Sequence, residues 1–96
     1  MTEPLSPPYR YLPSVLEALA AHGVRPTPST APDLVREFLN DLYRYELRRL
    51  RAELLAGTFP KPEYFDRVVA LRRRYPLLSL KLWQWLDEAP ARRAGN

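Results

Sequence analysis

The chain has 96 residues, a formal net charge of +4 and no cysteine. That is the length of one domain able to bury a single core without metal or disulfide staples, and it excludes a disulfide framework, a thiol nucleophile and any cysteine metal site. No stretch approaches the roughly 20 apolar residues that span a bilayer, and the N-terminal MTEPLSPPYRY lacks the apolar run of a secretory signal, so a cytoplasmic protein is expected.

Residues 1–11 carry Pro4, Pro7 and Pro8. Prolines this dense favour an extended, polyproline-like arm. Pro4-Leu5-Ser6-Pro7 fits the loose PxxP pattern, but the preferred reading is an arm lying across the helices through Leu5, Tyr9 and Tyr11. Helix 1 is predicted over Leu12–His22, with Pro13 in its first turn and Gly23 as its stop. Its Leu12, Val15, Leu16, Leu19 and Ala20 share one face. His22, the single histidine, falls in the last turn, where positive charge is mildly favoured; no metal-ligating neighbour accompanies it in the sequence. Pro26 and Pro28 make residues 24–29 a stiff connector.

The chain is organised around residues 30–57, TAPDLVREFLNDLYRYELRRLRAELLAG. Thr30 is the expected cap, Pro32 and Asp33 suit the first turn, and Gly57 is the expected left-handed stop. No Gly or Pro interrupts the run between them, and Leu, Arg, Glu and Ala dominate it. Leu34, Val35, Phe38, Leu39, Leu42 and Tyr45 form an apolar stripe in the first half. In the second half the stripe moves to Leu39, Tyr43, Leu47, Leu50 and Leu54. The expectation is that helix 1 covers the first half and helix 3 the second. Such a helix spans roughly 40 Å, whereas a compact globule of this size is only about 32 Å across. The helix therefore kinks, protrudes or is covered by another chain, the last being preferred.

Helix 3 is predicted over Lys61–Tyr75, with Tyr64, Val68, Leu71 and Tyr75 on one side. Arg72 falls inside this stripe and is expected to pair with Glu46 or Glu53. The segment Leu77–Leu86, LLSLKLWQWL, reads as a short fourth helix with Leu78, Leu82, Trp85 and Leu86 on one side and Trp83 pointing elsewhere; a strand is the alternative. Residues 87–96 are a polar tail. The domain organisation is thus an arm at 1–11, one helical domain at 12–88 and a tail at 89–96. The fold class is all-α: a small bundle of three helices built on the long central one, with the short fourth.

One histidine and no cysteine leave no nucleophilic triad, no clustered acids mark a metal site, and three glycines make no phosphate-cradling loop. A non-enzymatic protein without a cofactor is expected. All but two of the 15 basic residues are arginine, a residue suited to phosphate and carboxylate recognition, although coding bias in a GC-rich bacterium accounts for it as simply. Arg44, Arg48 and Arg51 form a ridge on the central helix, and Arg67 and Arg74, with Arg73 beside them, form another on helix 3. These could follow a nucleic-acid backbone. Acids spaced to pair with them, Asp41 and Glu63, argue for a solvated face instead. The preferred function is a protein–protein module that self-associates, expected as a homodimer. It rests on the overlong helix, the drifting stripe, and Trp83 and Trp85 as anchor residues with Arg72. Nucleic-acid binding is the alternative, and neither a membrane nor a small-molecule substrate is indicated.

Overall fold

The computed structural model describes residues 7–87. Within them the chain forms α1 (Pro13–Ala20), α2 (Pro32–Leu55) and α3 (Tyr64–Arg73), with 3-10 turns at Lys61–Glu63, Pro76–Ser79 and Leu82–Trp85. The fold is all-α; among the described residues the only β-type pairing is an isolated antiparallel bridge between Tyr11 and Leu86. Residues 1–6 and 88–96, which include Leu5, the PxxP pattern up to Ser6 and most of the tail, lie outside the described residues.

The start and stop signals act locally. Pro13 and Pro32 open α1 and α2, where their missing N–H is no loss. Both helices end by one device. Gly23 (φ 78°) and Gly57 (φ 76°) take the left-handed conformation. The following amide then reaches back, Val24 N–H to Leu19 O at 3.0 Å and Thr58 N–H to Glu53 O at 2.9 Å. A side chain at either glycine would strain that conformation. The expected cap at Thr30 is not made. The helix starts one residue later than expected, so the capping position is Ala31, which has no side-chain acceptor, and the Thr30 hydroxyl is held inside the connector, accepting the Thr27 N–H at 2.9 Å. Asp33 takes over part of the role, accepting the Leu34 N–H at 3.0 Å.

α2 runs unbroken for 24 residues in a molecule measuring 57 × 27 × 23 Å. α3 folds back antiparallel against its second half, bringing Tyr75 beside Tyr43 at 5.3 Å between ring centroids. The first half is covered differently from expectation. α2 packs on the two 3-10 turns at Pro76–Ser79 and Leu82–Trp85, and α1 packs on the first of these turns rather than lying along α2. The expected fourth helix is therefore two separate turns. Pro76 starts one; the other is closed by Gln84, whose side-chain oxygen accepts the Lys81 N–H at 2.8 Å. The strand alternative survives only as the single bridge at Leu86.

The core is Tyr11, Val15, Leu19, Val35, Leu39, Leu71, Tyr75, Leu77, Trp85 and Leu86. Trp85 is wholly buried, and its indole N–H points at the Leu77 carbonyl oxygen at 3.4 Å. The proline-rich arm lies against this core as expected at Tyr9 and Tyr11: Tyr9 N–H bonds Pro28 O at 2.8 Å, and the Tyr11 hydroxyl donates to Thr30 O at 2.5 Å. Past Leu39, no residue of α2 is fully buried. Beyond the meeting point of Tyr43, Glu46, Tyr75 and His22 the molecule is a two-helix hairpin of α2 and α3 extending from the core. Phe59 plugs its far end, buried beneath the Arg67 guanidinium at 4.2 Å from the ring centre.

Candidate functional site: the outer face of α2

α2 is apolar on two opposite sides. One side, with Val35, Leu39, Tyr43, Leu47 and Leu50, faces the core and α3. The other carries Leu34, Phe38, Tyr45 and Leu55, which are 62%, 51%, 54% and 82% exposed. Those four belong to a longer series. Leu34, Phe38, Asp41, Tyr45, Arg48, Ala52 and Leu55 follow one another by alternating steps of four and three, and all seven are exposed. At 100° per residue they lie within about 100° of arc. This is the heptad spacing of a helix that meets another helix along its whole length. Five of its seven positions are apolar. The two that are not, Asp41 and Arg48, carry opposite charge.

The exposed charges on and beside this ribbon are ordered along the helix. Asp33, Glu37 and Asp41 occupy its first half and Arg44, Arg48, Arg49 and Arg51 its second. Asp41 and Arg44 touch at 3.5 Å, with side chains 70% and 65% exposed, a solvated pair that holds neither side chain firmly. Sequence periodicity marked Leu34, Phe38 and Tyr45 as part of a core stripe; the structure buries only the neighbouring rim, Val35 and Leu39.

A second, polar cluster ties α2 to α3. Glu46 accepts from Tyr75 at one carboxylate oxygen and from Arg74 at the other. His22 stacks on the Tyr75 ring at 4.4 Å, and its Nε2 lies 2.7 Å from the Arg74 carbonyl oxygen. A carbonyl only accepts, so Nε2 carries the hydrogen. Burial, and then the Glu46 carboxylate, push the Tyr75 hydroxyl well above the ordinary tyrosine range. Burial likewise pushes Tyr11 up to about 12, with smaller contributions from Tyr9 and Asp33. Beside this cluster, Glu46, Arg49, Leu50, Glu53, Leu71 and Arg74 line an open groove of about 170 Å³. Its charged groups are already matched, Arg49 to Glu53 at 3.7 Å and Arg74 to Glu46. The cluster is a clasp between helices.

The residues singled out from the sequence do not converge. Trp85 is inside the core, so it is closed to any partner, whereas Trp83 is 52% exposed. Arg72 does not enter the helix interface: it is exposed, and Glu46 and Glu53 are engaged by Arg74 and Arg49 in its place. Arg67 is held by Glu63 at 3.1 Å and Arg44 by Asp41. Arg48, Arg51, Arg72 and Arg73 are exposed, and none belongs to an ion pair among the described residues. Also among the described residues, no group of three or more His, Cys, Asp or Glu is placed to hold a metal, and no helix is long and apolar enough to cross a membrane. The outer ribbon escaped the sequence reading because Asp41 and Arg48 interrupt it; its signal was the unbroken four–three spacing from Leu34 to Leu55.

Comparison of the chain with protein-family models, with curated proteins and with solved structures finds no match.

Proposed function

We propose that this protein is a non-enzymatic helical interaction module that self-associates through the outer face of α2. The observation that carries this reading is the seven-position ribbon from Leu34 to Leu55, exposed along its entire length. Large apolar side chains scattered singly on a surface need no explanation, but a continuous heptad series of them does. Covering Leu34, Phe38, Tyr45 and Leu55 in two copies removes eight large side chains from water. With between 51% and 82% of each exposed, the gain is about 1 kcal/mol apiece. That total is of the same order as the roughly 4–15 kcal/mol cost of association. These side chains by themselves support a weak, concentration-dependent dimer, in the class of about 1 mM, rather than an obligate one.

Light scattering and sedimentation of the full chain over a range of concentrations test this. The expected result is a dimer that dissociates on dilution. The Phe38→Ser/Tyr45→Ser variant should dissociate at least about tenfold more readily, with unchanged helix content, since both side chains lie outside the core. A wild-type chain that stays monomeric at millimolar concentration removes the reading.

A second reading, nucleic-acid binding, is supported by Arg48, Arg51, Arg72 and Arg73, four exposed cations with no ion-pair partner among the described residues. It requires binding in a mobility-shift assay that weakens steeply with salt. Arg44, Arg67 and Arg74 support it less, because each is already matched to an acid.

A further inference from the structure

We infer that the partner of the α2 ribbon is the α2 ribbon of a second copy, running antiparallel and centred at the level of residue 43. This deepens the self-association reading and rests on it. The orientation follows from the order of residues along the ribbon. In a parallel, in-register pair each ribbon position meets itself. Asp41 would then face a second Asp41, and Arg48 a second Arg48, inside the seam. Like charges held together away from water are strongly unfavourable.

Antiparallel pairing alternates the two kinds of ribbon position and removes both clashes. With the helices fully overlapped, Leu34 meets Ala52 of the second copy, filling beside a small residue. Phe38 meets Arg48, a ring beneath a guanidinium. Tyr45 meets Asp41, a phenol that can donate to a carboxylate. Each contact occurs twice about the two-fold axis, as a closed dimer requires. The outer flanking charges agree, while Arg44, one residue past the axis, comes beside Arg44 of the second copy and keeps its own Asp41 as counter-charge. Glu37 comes opposite Arg51 of the second copy, and the acidic first half of each helix lies along the basic second half of the other. The opposed helix dipoles are also favourable. The groups this arrangement uses are available: Asp41, Arg44, Arg48 and Arg51 are exposed, and the Asp41–Arg44 contact is a solvated one. The self-complementary order of charges along the ribbon selects a second copy over an unrelated acidic or basic helix, which would match only one half.

The absence of cysteine makes a single introduced thiol a specific label. Ala56→Cys lies at the exposed end of α2, past the last ribbon position. With a spin label there, pulsed dipolar spectroscopy on the full chain should give a separation of roughly 40 Å between copies, twice the axial rise from residue 43 to 56. A separation of about 10 Å, the spacing of adjacent helices, would overturn the antiparallel arrangement while leaving self-association intact. No dipolar signal from a chain that is monomeric by light scattering would overturn both. A charge exchange tests the register independently. Glu37→Arg should raise the dimer dissociation constant about 3- to 10-fold, and Glu37→Arg/Arg51→Glu should return it to within about twofold of wild type. A double variant no tighter than the single one would exclude this register.

Discussion

The Tyr75 hydroxyl donates to the Glu46 carboxylate and so fixes the residue just past α3 against the middle of α2. Arg74 occupies the other oxygen of the same carboxylate, and His22 covers the Tyr75 ring from the end of α1. Three elements thus meet at one phenol. Tyr75→Phe keeps the ring, with its stack on His22 and its edge contact to Tyr43, and deletes only the hydroxyl. Loss of a hydrogen bond to a charged acceptor should lower stability by about 1–3 kcal/mol. Urea unfolding followed by circular dichroism measures it, and an unchanged midpoint would mean that the clasp holds nothing together.

Alkaline pH should weaken the fold through the same phenol and through Tyr11. Tyr11 is pushed up to about 12 by burial, and Tyr75 is raised by burial and by Glu46. Their unfolded counterparts titrate near 10. The folded chain therefore keeps protons that the unfolded chain releases. The stabilisation is fully present below about pH 10 and declines as pH rises toward the folded values, at up to about 1.4 kcal/mol per pH unit for each tyrosine. Denaturant midpoints at pH 8, 10 and 11.5 should fall in that order. The Tyr11→Phe/Tyr75→Phe variant should start lower and fall less, and a wild-type midpoint that holds steady across the range would contradict the buried setting of both hydroxyls.

The two tryptophans should separate cleanly. Trp85 has no exposed surface, whereas Trp83 is 52% exposed. Trp85→Ala leaves a large hole at the centre of the core and should cost about 3–5 kcal/mol, a large share of the roughly 5–15 kcal/mol that keeps an ordinary domain folded. Trp83→Ala should stay within about 0.5 kcal/mol of wild type. Thermal melts of the two variants decide this, and comparable losses in both would mean that Trp83 is anchored more firmly than its exposure implies.

Much of the architecture was legible from a few residues. Pro32 and Gly57, with no Gly or Pro between, mark α2 almost to its ends, because these residues act on the backbone whatever surrounds them. Sidedness was less legible. Periodicity groups Leu34, Val35, Phe38 and Leu39 into one broad stripe, but which edge of it is covered depends on what arrives from elsewhere in the chain. Here the cover is the turn holding Trp85, and it reaches Val35 and Leu39 while leaving Leu34 and Phe38 bare. The segment Leu77–Leu86 resisted assignment because short apolar runs carry no period long enough to distinguish helix from strand, and two 3-10 turns belong to neither template. Arg72 was misplaced for a different reason. α3 is ten residues long and fully buries only Leu71, so its covered strip is too narrow to enclose the neighbouring guanidinium. Thr30 was diverted by a local competitor, the hydroxyl and amide of Thr27.

The seam between Tyr11 and Leu86 has a consequence for how the chain comes together. Leu12 N–H bonds Trp85 O at 2.9 Å and Asp87 N–H bonds Arg10 O at 2.7 Å, joining stretches far apart in sequence. As the polypeptide leaves a ribosome, α2 and α3 can pair early, since their contacts are nearly local. Val15, Leu19, Val35 and Leu39 must wait, greasy and uncovered, until the indole of Trp85 emerges to close over them. Assembly of the interior is therefore held back until Trp85 has emerged, and a nascent chain stalled before it would expose the very surfaces that recruit chaperones and drive aggregation.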